Sequence, residues 1–246
     1  MTNNTERISH EIEHGKKLLA DGAEDVWNWA SPAGKMRADR RVAYLVEKGH
    51  ITAADKVLEI GCGTGLFTRK MAERTGADIT GVDISPDLLA VARKNATAPR
   101  VQFVEGNAMQ LPFPDGAFDV VYGSSVLHHL DFDQSLAELF RVLKPGGRMV
   151  FGEPNMLNPQ IFVQKNVPII KKWAGDSPDE TAIVRFTFAR RMQKIGFSHI
   201  HIIPYDFLHP AIPAALIPFF DTVGKTIERI PLLKEIAGSV IIYGEK

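Results

Sequence analysis

The sequence predicts an α/β fold in which a mostly parallel, doubly wound sheet is covered by helices on both faces. Short apolar, β-branched runs alternate along the chain with segments of helical spacing, a rhythm typical of right-handed β-α-β units. Turn sequences such as Asp115-Gly116 and Lys144-Pro145-Gly146-Gly147 separate the two kinds of segment. With 246 residues, 45% of them hydrophobic, the chain is long enough to bury a substantial core.

The predicted elements follow one another in a regular order. Helical spacing from about Ile8 to Lys48, broken at Ser31 to Gly34, predicts two or three helices that form an amino-terminal cap. Strands and helices then alternate. The strands are predicted at 56–60, 78–82, 101–104, 118–122 and 148–152, and the helices at 66–74, 86–95 and 134–143.

Beyond the fifth strand the pattern becomes less regular. The segment from Pro154 to Pro178 is too long for a tight connection, so we expect a lid or a substrate-binding insertion there. A helix at 187–195 is predicted to end at Gly196, with strands at 198–203 and 239–243. The apolar stretch between these two strands contains prolines at positions 204, 210, 213, 218 and 231.

Composition and charge argue against several classes of function. Lys plus Arg and Asp plus Glu each number 29, so the formal charge is zero and a nucleic-acid partner is not expected. The single cysteine, Cys62, excludes an internal disulfide and suits a reducing compartment. The polar amino terminus lacks a signal-peptide pattern, and the apolar stretch at 211–220 is too short to span a membrane. We therefore expect a cytoplasmic protein without an integral membrane segment.

Three alternate glycines follow the first strand, where ligands of parallel sheets bind. Gly61, Gly63 and Gly65 let the backbone turn sharply and a ligand approach closely. The pattern is G-x-G-x-G, because leucine stands where the dinucleotide fingerprint requires a further glycine. Glu59 disfavours a pyrophosphate but suits a cationic ligand, and Asp83 is placed to accept hydrogen bonds from both hydroxyls of a ribose. These features predict an adenosine-containing cofactor without a pyrophosphate.

Together with further motifs, this loop resembles the serial motifs of class I S-adenosylmethionine-dependent methyltransferases. The resemblance covers roughly residues 40 to 153. It implies S-adenosylmethionine as the cofactor and a Rossmann-like, seven-stranded sheet with an antiparallel last strand and helical caps. The motifs are Val57 to Gly65, Asp83, Gly106-Asn107-Ala108, Phe118-Asp119-Val120-Val121 and Leu143-Lys144-Pro145-Gly146-Gly147.

The resemblance also implies roles for individual residues. The glycine loop would run past the methionine part of the cofactor, Asp83 would hold the ribose and Ile84 would pack on the adenine. Asn107 and Ala108 would meet the adenine edge, where the family often has aspartate before alanine; asparagine also forms hydrogen bonds. The predicted cofactor-binding residues are Glu59, Gly61, Cys62, Gly63, Gly65, Asp83, Ile84, Asn107, Ala108, Gly123 and Ser124.

Two adjacent histidines follow the fourth strand, at the edge where the cofactor is expected. His128 and His129 are suited to act as a general base near neutral pH. Glu153, just past the fifth strand, could orient or charge-balance a histidine, as acidic residues do in similar small-molecule methyltransferases. These three residues are the predicted catalytic set; the alternative is that the histidines only cap or shape the pocket. Oxygen is the favoured target atom, with carbon and nitrogen open.

The acceptor is expected to be a small molecule. The fourth strand lacks the Asn/Asp-Pro-Pro-Tyr run of amino-methyltransferases that act on nucleic-acid bases or glutamine. Aromatic residues in the surrounding segments could form an apolar acceptor pocket, or else the core of the caps or the seam of a homodimer. They are Trp27, Trp29, Phe162, Trp173, Phe207, Phe219 and Phe220.

Two other charged patterns are interpreted as solvated surfaces. The segment His10-Glu11-Ile12-Glu13-His14 matches the zinc signature H-E-x-x-H but lacks an identifiable third ligand, so we expect no metal site. Arg37, Arg40 and Arg41 could meet the cofactor carboxylate, although a solvated helix face is the simpler expectation.

The sequence thus predicts a methyltransferase that acts on a small, partly apolar acceptor by in-line displacement. Its parts would be a helical cap at 1–50, a cofactor-binding core at 51–153 and a carboxyl-terminal part at 154–246 that carries the lid and the substrate-binding insertions. Two alternatives stay open. One is a protein that binds the cofactor without transfer activity, and the other is a membrane-surface methyltransferase with a lipid-like acceptor, suggested by residues 211–220.

Overall fold

A seven-stranded sheet forms the centre of the computed structural model, which describes residues 4–96, 98–174, 176–177 and 180–246. The strands are β1 (Lys56–Ile60), β2 (Asp78–Asp83), β3 (Val101–Glu105), β4 (Phe118–Ser124), β5 (Leu143–Pro154), β6 (Ser198–Tyr205) and β7 (Ser239–Glu245). Their order in the sheet is β3-β2-β1-β4-β5-β7-β6. Neighbours from β3 to β5 are parallel, whereas β7 runs antiparallel to both β5 and β6.

Helices cover this sheet, as the crossovers between parallel strands require. They are α1 (Asn4–Asp21), α2 (Ala23–Val26), α3 (Pro32–Gly49), α4 (Leu66–Thr75), α5 (Pro86–Asn95), α6 (Phe132–Val142), α7 (Pro159–Asn166), α8 (Pro168–Trp173), α9 (Arg185–Ile195) and α10 (Ile217–Ile227). Short 3₁₀ helices lie at Leu127–His129, Ala214–Leu216 and Leu233–Ile236. Among the described residues, no helix is both long and apolar enough to cross a membrane.

The fold class predicted from the sequence is confirmed, and all seven predicted strands are present. The largest difference is in β5, which begins at Leu143 rather than at Arg148, because Leu143 pairs with Phe118 of β4. The insertion after β5 contains α7 and α8, and the apolar stretch with many prolines contains α10. The sequence-based division into three parts stays a prediction.

Burial on both faces fixes the central strand β1. Leu58 packs in one apolar cluster with Phe151, and its neighbour Val57 packs in another with Leu45 and Met71. Both residues of β1 are fully buried. This two-sided burial explains why the strands form almost uninterrupted apolar runs in the sequence, and it fixes the position of the carboxyl ends of the strands.

The amino-terminal cap is held by a close backbone approach at Gly34. Ser31 caps α3, since its Oγ accepts a hydrogen bond from the Gly34 N–H at 3.0 Å. A Cβ atom at position 34 would lie only 2.1 Å from the Asn28 carbonyl oxygen. The turn between α2 and α3 therefore requires glycine here, and it places Trp27 and Trp29 beside the cavity described below.

We expect Gly34→Ala to lower the free energy of unfolding by at least 1–3 kcal/mol, the usual cost of overpacking a tight site. The added methyl group meets a backbone carbonyl that cannot move without displacing the α2–α3 turn. Urea unfolding followed by circular dichroism measures the loss, with the exposed neighbour Lys35→Ala as the control. Equal stability of the two variants would contradict the close approach.

Candidate active site

A cavity of about 990 Å³ opens at the carboxyl ends of the parallel strands. Its wall includes the glycine loop after β1, the 3₁₀ turn after β4 and parts of α1 and α7. Its volume lies near the top of the roughly 300–1,000 Å³ range of small-molecule sites. The sheet edge predicted to bind ligands is therefore the edge at which this cavity opens.

The glycine loop needs glycine because of both its backbone and its neighbours. Gly61, Gly63 and Gly65 have φ angles of +65°, +50° and +79°, a region that side chains disfavour. A Cβ atom at position 61 would lie 2.4 Å from a methyl group of Val126, and one at position 63 would lie 2.9 Å from Trp27. The missing side chains therefore also let the cap and the β4 turn close onto the loop.

Asp83 joins this loop to the end of β2. Its Oδ2 accepts a hydrogen bond from the Gly63 N–H at 2.8 Å, and its Oδ1 accepts one from the Ser85 N–H at 2.9 Å. Burial raises the pKa of this carboxyl group, although the backbone amides oppose that shift. Each carboxylate oxygen keeps a further lone pair with which to accept a ligand hydroxyl.

The neighbouring wall presents apolar and amide groups. Ile84, Asn107 and Ala108 all line the cavity, as predicted for cofactor-binding residues. The Asn107 Oδ1 accepts a hydrogen bond from the Met109 N–H at 2.9 Å, which leaves the side-chain NH₂ as the group available to a ligand. Ser124 also lines the cavity. This wall is chemically suited to a nucleoside base and its ribose.

Three predicted cofactor-binding residues, Glu59, Gly65 and Gly123, do not line the cavity. Glu59 is buried inside β1, where its Oε2 accepts a hydrogen bond from the Tyr122 hydroxyl at 2.7 Å. Gly123 lies within β4, and a Cβ atom there would be 2.5 Å from Phe151. Cys62 does line the cavity, and burial raises its pKa well above the usual range, so it is an uncharged thiol. Glu59 and Gly123 lie within strands β1 and β4 and support the site from inside the sheet.

His128, which lines the cavity, forms a buried pair with Glu153. The His128 Nδ1 lies 2.8 Å from the Glu153 Oε2. The other carboxylate oxygen accepts hydrogen bonds from the backbone N–H groups of Val126 and Leu127 at 2.9 and 3.0 Å. Both lone-pair regions of the carboxylate are therefore engaged, and the imidazole is held in one orientation.

The pKa values of both members of this pair are lowered, for different reasons. Burial would raise the pKa of Glu153, but the hydrogen bond from His128 and the backbone amides leave it below its usual value. Burial lowers the pKa of His128, and the neighbouring His129 acts in the same direction. A neutral imidazole that donates its Nδ1–H to a carboxylate carries a free lone pair on Nε2. His128 can therefore accept a proton from a ligand in the cavity that it lines.

His129 lies between two carboxylates and differs from His128 in charge. Its Nδ1 is 3.4 Å from the Glu11 Oε2 and 3.6 Å from the Glu180 Oε1. Burial would lower the pKa of His129, but the two carboxylates raise it overall. The Lys165 Nζ in turn lies 2.6 Å from the Glu180 Oε2. The pKa values of the two adjacent histidines are thus shifted in opposite directions.

The acidic members of this cluster could also suit a cation. Ligand atoms of His128, His129 and Glu180 lie within 4.8 Å of one another. However, Lys165 already neutralises Glu180, and the Nδ1 of His128 is engaged by Glu153. Because these ligand atoms are already engaged by a lysine and a carboxylate, the chemistry of the cluster does not favour a metal ion.

The sequence interpretation of α1 as a solvated helix was wrong. Glu11, His14 and Gly15 line the cavity, and a Cβ atom at position 15 would lie 2.6 Å from the Ser85 Oγ. The small residue lets α1 lie across the end of β2 and bring Glu11 to His129. The side chain of His10, the first histidine of the H-E-x-x-H match, is outside the described residues.

The arginines of α3 are likewise not a solvated face. Arg37 pairs with Asp206 at 2.8 Å and Arg40 pairs with Glu228, whereas Arg41 is buried without a carboxylate partner among the described residues. The Arg41 guanidinium donates to hydroxyl and carbonyl oxygens only: those of Ser124 (3.0 Å), Ser125 (2.7 Å), Gly152 (3.3 Å), Tyr205 (3.0 Å) and Ser239 (2.9 Å). One N–H of Nη2 has no partner in this set, and the residue lines the cavity.

The predicted aromatic residues divide into two groups. Trp27, Trp29, Trp173 and Phe207 line the cavity. Three others, Phe162, Phe219 and Phe220, are on the outer surface with 38–65% of their area exposed. The aromatic wall of the cavity is therefore built by the caps, and the outer residues are available for another contact.

The family model and the relatives that this chain resembles are all described as methyltransferases. Residues 58–151 match a family model described as a methyltransferase domain. The chain is 38% identical over 138 residues to a demethylmenaquinone methyltransferase of Thermus thermophilus, a stretch that covers 54% of this chain and 56% of that protein. It is 32% identical over 194 residues to a demethylmenaquinone methyltransferase of Listeria monocytogenes, covering 70% of this chain and 80% of that protein.

The fold is shared with solved structures. A methyltransferase of Thermotoga maritima, described as dependent on S-adenosylmethionine, superposes with a TM-score of 0.65 at 20% identity. The superposition covers 95% of this chain and 99% of that one. At this identity the likeness concerns the fold alone.

We expect the wild type to lose stability relative to Glu59→Gln as the pH rises from about 4.5 to 7. Burial, with the nearby Asp83, raises the pKa of Glu59 to about 7 in the folded chain, so the fold keeps a proton that the unfolded chain releases above pH 4.5. This stabilisation is fully present below about pH 4.5, the pKa of the glutamate in the unfolded chain. It is lost as the pH rises through about 7, the pKa of Glu59 in the folded chain. By linkage it amounts to about 3 kcal/mol.

Urea unfolding of both proteins at several pH values measures this difference. Glu105→Gln, at an exposed position of β3, controls for the removal of one carboxyl group. A difference between wild type and Glu59→Gln that does not change with pH would contradict the raised pKa.

Proposed function

We propose that this chain, which belongs to the class I S-adenosylmethionine-dependent methyltransferases, methylates a quinone-like acceptor in its reduced, phenolic form. One observation carries the proposal: the glycine loop, Asp83 and His128, which is hydrogen-bonded to the buried Glu153, border the same cavity. The acceptor class is supported by the relatives, which are named demethylmenaquinone methyltransferases. The aromatic wall formed by the caps suits a flat apolar ring.

The residues of the sheet edge fit the cofactor. In our assignment, Asp83 takes the ribose hydroxyls, Ile84 packs on the adenine and the Asn107 NH₂ meets the adenine edge. The loop from Gly61 to Gly65 runs beside the methionine part. Free lone pairs on Asp83 and the unpartnered amide of Asn107 support these roles.

Arg41 is our candidate for the cofactor carboxylate. Its guanidinium is buried, lines the cavity and has only neutral oxygen partners among the described residues. A buried cation without a counter-charge is costly, so an incoming carboxylate that takes the free N–H of Nη2 would be strongly favoured. Ser124 and Ser125 keep the guanidinium at the carboxyl end of β4, beside the glycine loop.

His128 is proposed to act as the general base. Its Nε2 would take the proton of an acceptor hydroxyl, while Glu153 holds the ring and stabilises the imidazolium that forms. When bound, S-adenosylmethionine would supply an electrophilic methyl group on a sulfonium. The oxyanion electrons would form the new bond to the methyl carbon as the bond from that carbon to sulfur breaks, which leaves a neutral thioether.

The same deprotonation activates two kinds of atom in a phenolic acceptor. In an aryl oxyanion the negative charge is shared between the oxygen and the ring carbons ortho to the C–O bond. Methylation at such a carbon would give a ring ketone; His128 would return its proton to the oxygen and then accept the ring proton, which restores the phenol. His128 therefore serves an oxygen or a carbon acceptor, and protonated His129, whose pKa Glu11 and Glu180 raise, would favour the oxyanion in either case.

Calorimetric titration of S-adenosylmethionine tests the cofactor assignment. We expect Asp83→Ala to weaken binding roughly 10- to 100-fold, the effect of losing a hydrogen bond to a charged group. Asp78→Ala, at the exposed start of the same strand, is the control. Unchanged affinity of a folded Asp83→Ala variant would exclude Asp83 from the ribose site.

Turnover tests the proposed base. With 1,4-naphthohydroquinone as the acceptor, we expect His128→Gln to lower kcat by roughly 10²–10⁴ without changing the affinity for S-adenosylmethionine. Since the base must be neutral and burial lowers the pKa of His128, kcat/KM should be flat through neutral pH and fall only in acid. Formation of S-adenosylhomocysteine measures the rate, and magnetic resonance distinguishes a methoxy from a ring-methyl product.

His201→Gln, an exposed histidine of β6, is the matched control for this substitution. Wild-type turnover by His128→Gln would remove His128 as the base. Absence of any turnover by wild-type protein that binds the cofactor would refute the proposed acceptor.

A further inference from the structure

In the described part of the chain, most of the exposed large apolar side chains lie in two segments. The first is residues 157–173, where Ile169 is 77% and Trp173 is 90% exposed. The second is residues 216–236, where Phe219 is 65% and Leu232 is 85% exposed. We call these two segments together the apolar rim. Such clustering on a protein surface marks a site of contact, since scattered apolar residues would not be concentrated in two segments.

The first segment of the apolar rim lies beside the cavity. Trp173, the most exposed residue of the rim, also lines the cavity. None of the described residues of the second segment lines the cavity, but the two segments meet where the Asn158 Nδ2, next to α7, donates a hydrogen bond to the Ile236 carbonyl oxygen at 2.8 Å. The Gln160 side chain contacts the His209 ring at 3.2 Å, and both residues line the cavity. The first segment therefore borders the cavity, and the second segment adjoins the first.

The charges of the rim favour an anionic surface. Its acidic groups are neutralised within the fold: Glu228 pairs with Arg40, Glu235 pairs with Arg185 at 2.9 Å and Asp221 pairs with Lys225 at 2.6 Å. Lys172 and Arg229 are exposed and form no ion pair in the described structure. The chain as a whole has a formal charge of zero, so this local excess of positive charge is not a general property of its surface.

We propose that the apolar rim docks on the surface of an anionic lipid bilayer, with the mouth of the cavity facing the lipid. Exposed aromatic and aliphatic side chains would enter the interface, and Lys172 and Arg229 would contact the lipid phosphates. Among the described residues no helix can span a membrane, so the contact is peripheral. Resting on the proposed function, a quinone-like acceptor dissolved in the bilayer would reach the cavity without crossing water.

Sedimentation with large unilamellar vesicles tests the proposal without cofactor or acceptor. We expect the wild type to pellet with phosphatidylcholine vesicles that contain about one-third phosphatidylglycerol, and to pellet far less with phosphatidylcholine alone. Ile169→Ser combined with Leu232→Ser should lower the bound fraction about tenfold or more. Neither residue lines the cavity, so the affinity of this variant for S-adenosylmethionine should equal that of the wild type.

Matched variants separate the rim from the rest of the surface. Lys172→Glu should weaken binding to the anionic vesicles about fivefold or more, whereas Lys94→Glu, at an exposed position of α5 near the opposite edge of the sheet, should not. Ile203→Ser, in edge strand β6, controls for the loss of an exposed aliphatic side chain.

Three results would overturn the proposal. They are no pelleting of the wild type with anionic vesicles, equal pelleting of the wild type and the Ile169→Ser/Leu232→Ser variant, or a dimer in analytical ultracentrifugation that this variant abolishes together with vesicle binding. The last result would assign the rim to a second copy of the chain. Because no result depends on turnover, failure here is distinguishable from failure of the proposed reaction.

Discussion

The buried guanidinium of Arg41 is the interaction on which the arrangement of the site depends. It extends from cap helix α3 to the ends of four strands, through Ser124 on β4, Gly152 on β5, Tyr205 on β6 and Ser239 on β7. A buried charge is tolerated only when its donors find partners, so these contacts fix the cap relative to the sheet edge. The cavity exists because the cap is held there, and its walls come from both parts of the fold.

The cavity presents a carboxylate, Asp83, in one part of its wall and two histidines, His128 and His129, in another. On one side, Asp83 presents a carboxylate that backbone amides already orient. On the other side, burial and the adjacent His129 lower the pKa of His128, whose ring Glu153 orients, while Glu11 and Glu180 raise the pKa of His129. The pKa values of two identical residue types thus shift in opposite directions, because burial dominates for His128 and two carboxylates dominate for His129.

Local patterns in the sequence were sufficient for the sheet but not for the caps. The positions of the strands along the chain follow from the apolar runs, and the positions of Asp83, His128 and Glu153 at one edge follow from the rule that the carboxyl ends of parallel strands meet. The antiparallel last strand was implied by the family resemblance and not by the residues themselves. The buried state of Arg41 could not be predicted, because its partners are distant in sequence and nothing near it signals burial. Glu11 was misjudged for the same reason, since a charged amphipathic helix gives no sign of where it docks. The one available signal was Gly15, a helix-interior glycine that permits a close approach.

The Arg41 contacts have a further consequence for the order in which the chain matures. The hydrogen bond from Arg41 to Ser239 spans 198 residues. The guanidinium therefore lacks this hydrogen-bond partner until β7 has been synthesised and inserted between β5 and β6. Contacts of such separation form late, because the entropy of closing the loop opposes them. During translation the strands from β1 to β4 can assemble early, but the cavity wall that includes Ser239 is completed only when the final strand arrives.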